Sequence, residues 1–170
     1  MLNSEELIKA RKEEIVNACE KLYKTMSFKD ITMKDIAKST TVTRTSIYNY
    51  FHTKEEIFLI LNKKEYELWI TDLNKIIDGN KKLTTDQLAK SLAKSLEKRE
   101  QMLKLVSMNH FDMEANSRPE ILTEFKVSFG NSIKLVSQII KKFCPKSTNN
   151  RYKNLFIRFS RLYMEYILML

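Results

Sequence analysis

Three helix starts are written in side-chain chemistry within residues 31–54, ITMKDIAKSTTVTRTSIYNYFHTK, and they constrain the fold more than any other stretch of the chain. Thr32 with Asp35 has the form of a capping box, Thr43 is an N-cap residue, and Thr53 with Glu56 completes a T-x-x-E box. Each start leaves backbone N–H groups without an intrahelical partner and carries the positive end of the helix dipole. A cluster of such ends favours contact with anions, phosphates above all. With only two Gly and two Pro, the chain has few sites for the tight turns a β-sheet needs, while 43% hydrophobic residues supply ample core. The expectation is an all-α protein.

Apolar periodicity extends this reading. Ile15, Ala18, Cys19, Leu22, Tyr23 and Met26 recur at helical spacing, predicting a first helix from Ser4 to Met26. Short helices follow at Met33 to Ser39 and Arg44 to Tyr50. Ile31, Ile36, Ala37, Val42, Ile47 and Phe51 give them a small core shared with the first. After Thr53 a long helix runs toward Ile77 on the stripe Ile57, Phe58, Leu61, Leu68, Trp69, Leu73, Ile76 and Ile77. Thr84 with Gln87 starts the next helix, carrying Leu88, Ala89, Leu92, Ala93 and Leu96. Met102, Leu103, Leu105, Val106 and Met108 mark another, and between Asp112 and Pro119 the pattern lapses. Ser117 with Glu120, and Pro119 in the first turn, predicts a helix ending at Cys144-Pro145, and a last one contains Leu155, Phe156, Phe159, Leu162, Tyr163, Tyr166 and Ile167. The chain stops at an apolar Leu168, Met169, Leu170, so either that helix end is buried or the polypeptide continues. The expected organisation is a small unit over residues 1–53 and a larger helical bundle over 54–170 joined by the long helix.

Thirty Lys plus Arg against 21 Asp plus Glu give a formal charge of +9, which suits a polyanionic partner without identifying it. Cys19 and Cys144 lie far apart with no C-x-x-C spacing, so neither a disulfide framework nor a zinc knuckle is expected. No apolar run reaches the ~18 residues that a membrane span requires. A cytoplasmic protein with no membrane span is the expectation.

The stretch IVNACEKLYKTMSFKDITMKDIAKSTTVTRTSIYNYFHTKEEIF, residues 15–58, resembles the DNA-binding domain of the TetR family of bacterial transcription regulators. It follows the family's order: helix one, a short link, helix two, a turn, a recognition helix ending Y-x-Y-F, and a Lys opening helix four. The resemblance implies an N-terminal three-helix helix-turn-helix domain and a larger C-terminal helical bundle. Two positions depart from the family pattern. Ser27 and Thr41 stand where glycines are usual, and a β-branched Thr41 predicts either another turn geometry or strain of order 1 kcal/mol.

Side-chain chemistry then assigns candidate DNA contacts. Arg44 can fork onto guanine, Asn49 can pair with adenine, and the Thr45 methyl can touch thymine. Tyr48 and Tyr50 bracket the apolar Ile47 side, and in similar proteins the position of Tyr48 holds a backbone phosphate. Thr32, Lys34, Thr43, Ser46, His52 and Lys54 sit at helix starts or the following turn, where hydroxyl, imidazole and ammonium groups meet phosphates. The same tyrosines could instead cap a core, and Lys34 could be solvated surface.

A reader this small spans a short half-site, which calls for a two-fold dimer on an inverted repeat of double-stranded DNA. The helices from Glu120 to Phe143 and from Tyr152 onward are the candidate pairing surface. The resemblance further implies a C-terminal pocket whose effector releases a repressor from its operator. Trp69, Met102, Met108, His110, Phe111, Met113, Phe125 and Phe129 could line it for a small apolar or amphipathic ligand, or could be ordinary core. His110, Asp112 and Glu114 read H-x-D-x-E, but without a third well-placed ligand no metal is expected, and no cofactor. No phosphate loop, G-x-S-x-G or H-E-x-x-H is present, so an enzyme is not expected. The alternatives are a ligand-independent regulator or activator, and a nonspecific polyanion or membrane-surface binder using the basic stretch Lys141 to Arg161.

Overall fold

The computed structural model describes residues 4–106 and 110–145, side chains of 110–112 excepted. Met108, the side chains of His110, Phe111 and Asp112, the helix expected from Tyr152 and most of the basic stretch Lys141 to Arg161 therefore lie outside the described residues. Among those described there are helices and no strand: α1 Ser4–Thr25, α2 Met33–Lys38, α3 Arg44–Ile47, α4 Lys54–Gly79, α5 Thr85–Glu97, α6 Glu100–Val106, α7 His110–Ala115 and α8 Pro119–Phe143. None is long and apolar enough to cross a membrane. The chain is all-α, as its scarcity of Gly and Pro predicts.

The helices fall into two compact units that divide α4 after Tyr66 and α8 after Ser128. The first takes α1, α2, α3, the first part of α4, α6, α7 and the start of α8. Ile15, Cys19, Tyr23, Ile31, Ile36, Ile47, Phe51, Ile57, Phe58 and Leu61 form its fully buried core. The Phe58 ring meets Tyr23 and Phe28 edge-on, with centroids 5.1 and 4.9 Å apart, the arrangement aromatic quadrupoles favour. Ala37, Leu22 and Met26, expected in this core, are only half-buried. Cys19 is free and buried, and burial pushes its thiol up to about 12, leaving it inert at neutral pH.

Residues from α6 reach back to close α1. The Lys104 ammonium donates to the carbonyls of Tyr23 (2.6 Å) and Met26 (3.2 Å) and lies 4.0 Å from the Tyr23 ring centroid. Gln101 Nε2 donates to the Glu20 carbonyl at 3.0 Å. The Tyr23 carbonyl, in the last turn of α1 where carbonyls run out of intrahelical donors, is thus satisfied from outside.

The second unit holds the rest of α4, α5 and the end of α8. There Trp69 donates its indole N–H to the Ser95 hydroxyl at 3.0 Å, and Arg99 pairs with Asp72 at 2.5 Å. The expected box at the start of α5 is complete: Thr84 accepts from the Gln87 amide and Gln87 returns the bond.

Several details correct the sequence reading. Leu68, Leu103, Ala89 and Ala93 face solvent, whereas Asn62, Glu65 and Tyr66 of α4 are buried, so α4 is covered on more than the one expected stripe. Residues 112–115, expected to be irregular, belong to α7. This helix buries Met113 but is too short to print a period. The Ser117 hydroxyl donates back to the Met113 carbonyl at 2.6 Å instead of capping α8, whose first carbonyl acceptor is Arg118. Pro119 takes the first helical position, where its missing N–H costs nothing.

Candidate nucleic-acid interface

The site is built from α2, α3 and the turn between them. Thr32 and Asp35 form the reciprocal capping box that starts α2. The helix ends at Lys38, and Thr40 closes it with one hydroxyl, placed 3.1 Å from both the Ala37 and Val42 carbonyls and 3.3 Å from the Val42 amide it accepts from. No described residue outside Gly has positive φ, so the turn through Thr41 resolves the glycine departure by geometry and carries no left-handed strain.

What holds that turn comes from α1. Glu14 Oε1 accepts from the Thr41 amide at 2.6 Å and from its hydroxyl at 2.7 Å. Arg11 donates to Thr41 Oγ1 at 2.7 Å and to Glu14 Oε2 at 2.8 Å. The Thr41 amide, then the Thr41 hydroxyl and Arg11, hold the Glu14 carboxyl below the usual carboxylate range. Side-chain bonds from a neighbouring helix replace the conformational freedom of glycine.

Thr43 then caps α3, accepting from the Ser46 amide at 3.2 Å with the two hydroxyls 2.9 Å apart. Ile47 is fully buried and anchors this four-residue helix. Residues 48–50, expected to extend it, continue as tighter turns in which Asn49 and Tyr50 donate to the carbonyls of Ser46 and Ile47. With Ile47 held inward, Arg44, Thr45, Tyr48 and Asn49 all face solvent, and Ser46 and Tyr50 are half-exposed. Tyr48 retains 41% exposure, high for a large ring. The three side chains nominated to read bases are therefore on the surface, Arg44 and Thr45 on α3 and Asn49 in the turn that follows it.

The residues nominated for phosphate contact divide. Lys34, Thr43, Thr32 and His52 are exposed, although the two threonine hydroxyls already serve their caps. Lys54 is engaged inside the unit: its ammonium donates to the carbonyls of Phe28 (2.8 Å) and Ile31 (3.1 Å) and lies 4.3 Å from the Phe28 ring centroid. Two of its three N–H groups are thus taken by backbone carbonyls.

The Thr53–Glu56 box is half of what its sequence suggests. Thr53 accepts from the Glu56 amide at 3.2 Å, but the Glu56 carboxylate turns to the His52 amide (2.8 Å) and to Arg118. Glu56 and Arg118, like Glu14 and Arg11, were not marked by sequence reasoning as part of the site. The only local signal was Glu56 as the fourth residue of T-x-x-E.

Of the expected effector-pocket residues, Met102, Met113 and Phe125 are buried in the first unit, where the Phe125 ring lies 6.0 Å from Tyr66. Trp69 and Phe129 are buried in the second. Glu114 of the H-x-D-x-E string pairs with Lys126 at 3.4 Å.

Comparison with known proteins finds two family matches along the chain. Residues 15–61 match the model of the bacterial regulatory proteins of the tetR family, and residues 63–164 match that of the tetracyclin repressor-like C-terminal domain. No curated protein matches the chain closely. The first match covers the exposed α3 with the helices that hold it, and the second covers more than half of the sequence. The chain belongs to the TetR family and is a DNA-binding transcriptional regulator, not an enzyme.

Proposed function

We propose that the chain acts in the bacterial cytoplasm as a homodimeric repressor, released from its operator by a small effector bound in the C-terminal domain that α4 opens. The observation that carries the DNA-reading part is the joint exposure of Arg44, Thr45 and Asn49 on an element anchored by the buried Ile47. Arg44 forks onto guanine N7 and O6, Asn49 pairs with adenine N6 and N7, and Tyr48, Lys34 and His52 hold phosphates alongside. Ser46, Tyr50, Thr32, Thr43 and Lys54 complete the flanking contacts. A formal charge of +9 adds the sequence-independent attraction that brings the protein to DNA.

Dimerisation follows from scale. Four helical residues cover a few base pairs, so a selective operator requires two readers about 34 to 36 Å apart, or a multiple of that, on an inverted repeat. Release by an effector rests on the matched C-terminal domain, and the buried Trp69 and Phe129 of the second unit suit an apolar or amphipathic ligand.

Selecting bound fragments from a pool of random duplexes tests the reading. The expected outcome is an inverted repeat bound by two chains, as light scattering of the complex would report. Fragments with no shared sequence, or a single chain per site, would refute it.

A further inference from the structure

We infer that Arg118, outside the helix-turn-helix in sequence, is a positioning residue for DNA reading: it locks the C-terminal flank of α3 to the junction between α7 and α8. Glu56, in the first turn of α4, is fully buried, and Arg118 meets it in a fork, Nε to Oε1 at 2.7 Å and Nη2 to Oε2 at 2.8 Å. The Arg118 backbone amide adds a third bond to Oε1 at 3.0 Å. The carboxylate also accepts the His52 amide at 2.8 Å, and Arg118 Nη2 donates to the Tyr50 carbonyl at 2.9 Å. Thr53 closes the junction by donating its hydroxyl to the Asn116 carbonyl at 2.8 Å.

The segment 50–53, which follows the exposed Tyr48 and Asn49, is therefore held at two backbone groups, the Tyr50 carbonyl and the His52 amide, and at the Thr53 hydroxyl, by groups tied to Arg118 and Asn116. None of these bonds belongs to a helix ladder, so they fix where the flank of α3 sits without contributing to whether α3 forms. The guanidinium fork restrains direction as well as distance, which a single ammonium does not. A shift of the α7–α8 junction would move the carboxylate, and with it the His52 amide and Tyr50 carbonyl that end the reading element. Arg118 thereby acts on base recognition through the backbone, without touching DNA.

The test uses the whole chain and a DNA fragment recovered by the wild-type protein from a random pool, with a scrambled duplex of equal length as control. Arg118→Ala leaves a buried carboxylate unpaired and can unfold the protein, so Glu56→Gln/Arg118→Met, which removes both charges together, is measured beside it with Arg118→Lys. Circular dichroism selects the variants that fold. The expected result is a loss of roughly two- to thirtyfold in affinity for the selected fragment, with scrambled-duplex binding changed less than twofold and partial recovery in Arg118→Lys. Unchanged selectivity in the folded double variant, or equal loss on both duplexes, overturns the assignment. If Arg44→Ala still abolishes selectivity in that case, the α3 reading stands and only the role of Arg118 falls.

Discussion

At the scale of single residues, the turn before α3 shows how one tertiary contact substitutes for a special backbone. Glu14 accepts two bonds from Thr41, and both weaken when its carboxylate loses its charge on protonation. Because the folded pKa is depressed, the stability it confers is complete above the ordinary Glu value of about 4.3 and is lost as pH falls through the folded value. Glu56 behaves alike: burial raises its pKa, but the Arg118 bond with the His52 and Arg118 amides outweighs burial and lowers it overall. Unfolding midpoints should therefore be flat from neutral pH to about 5 and fall below about 4, and Glu14→Gln should weaken that acid slope. A slope unchanged in Glu14→Gln would contradict the pinning of Thr41.

Asn62 makes a second residue-scale case. It is fully buried, and neither amide atom has a hydrogen-bond partner among the described residues. Replacing such a group by an apolar one removes a desolvation cost of about 1–3 kcal/mol, so Asn62→Leu should hold or raise the melting temperature. A clear drop would show that the amide is bonded in solution. None of this was readable from sequence: Glu14 and Asn62 sit in unremarkable helical strings and Arg118 in the short link between α7 and α8, and their roles arise only where distant segments meet.

Among the elements, the helices most legible in sequence are those whose starts are chemical. Thr32, Thr43 and Thr84 each accept from the amide three residues on, as their spacing predicts. Thr43→Ala should cost about 1 kcal/mol, within the 0.5–2 range of such caps, and weaken DNA binding because a four-residue helix has little else local to hold it. Denaturant midpoints with unchanged slope check the first part. Ile47→Ala should cost about 2–5 kcal/mol as a fully buried anchor. Retained stability would mean that α3 is held some other way.

Periodicity was a poorer guide where helices are short or buried on several sides. α7 prints no period because six residues span less than two turns, with Met113 buried. The Ser117 cap misled because its hydroxyl faces the preceding helix. On α4, Leu68 continues the apolar stripe in sequence yet faces solvent, while Glu65 beside it is buried. A pattern of residue types records the average face of a helix, and only packing decides individual positions.

For the whole molecule, fold class and family were legible because a low Gly and Pro content excludes sheets and because residues 15–58 carry the order of a helix-turn-helix domain. The candidate site was legible on its exposed side, Arg44 to Asn49, and illegible behind it, where Glu14, Glu56 and Arg118 hold the reader in place. At this scale the proposed function predicts a dimer of 20.2 kDa chains in solution, which light scattering would report as twice that mass. It also predicts that an effector preferring the native state raises the melting temperature and lowers operator affinity together. A ligand that stabilises the protein while leaving DNA affinity unchanged would contradict release by that ligand.

The most direct measurement is the affinity of wild type and Arg44→Ala for a selected inverted repeat and for a scrambled duplex at one fixed salt concentration. The account predicts a loss of about 1–3 kcal/mol per half-site on the repeat and little change on the scrambled duplex. Equal losses on both, or none on the repeat, would contradict base reading by the exposed face of α3.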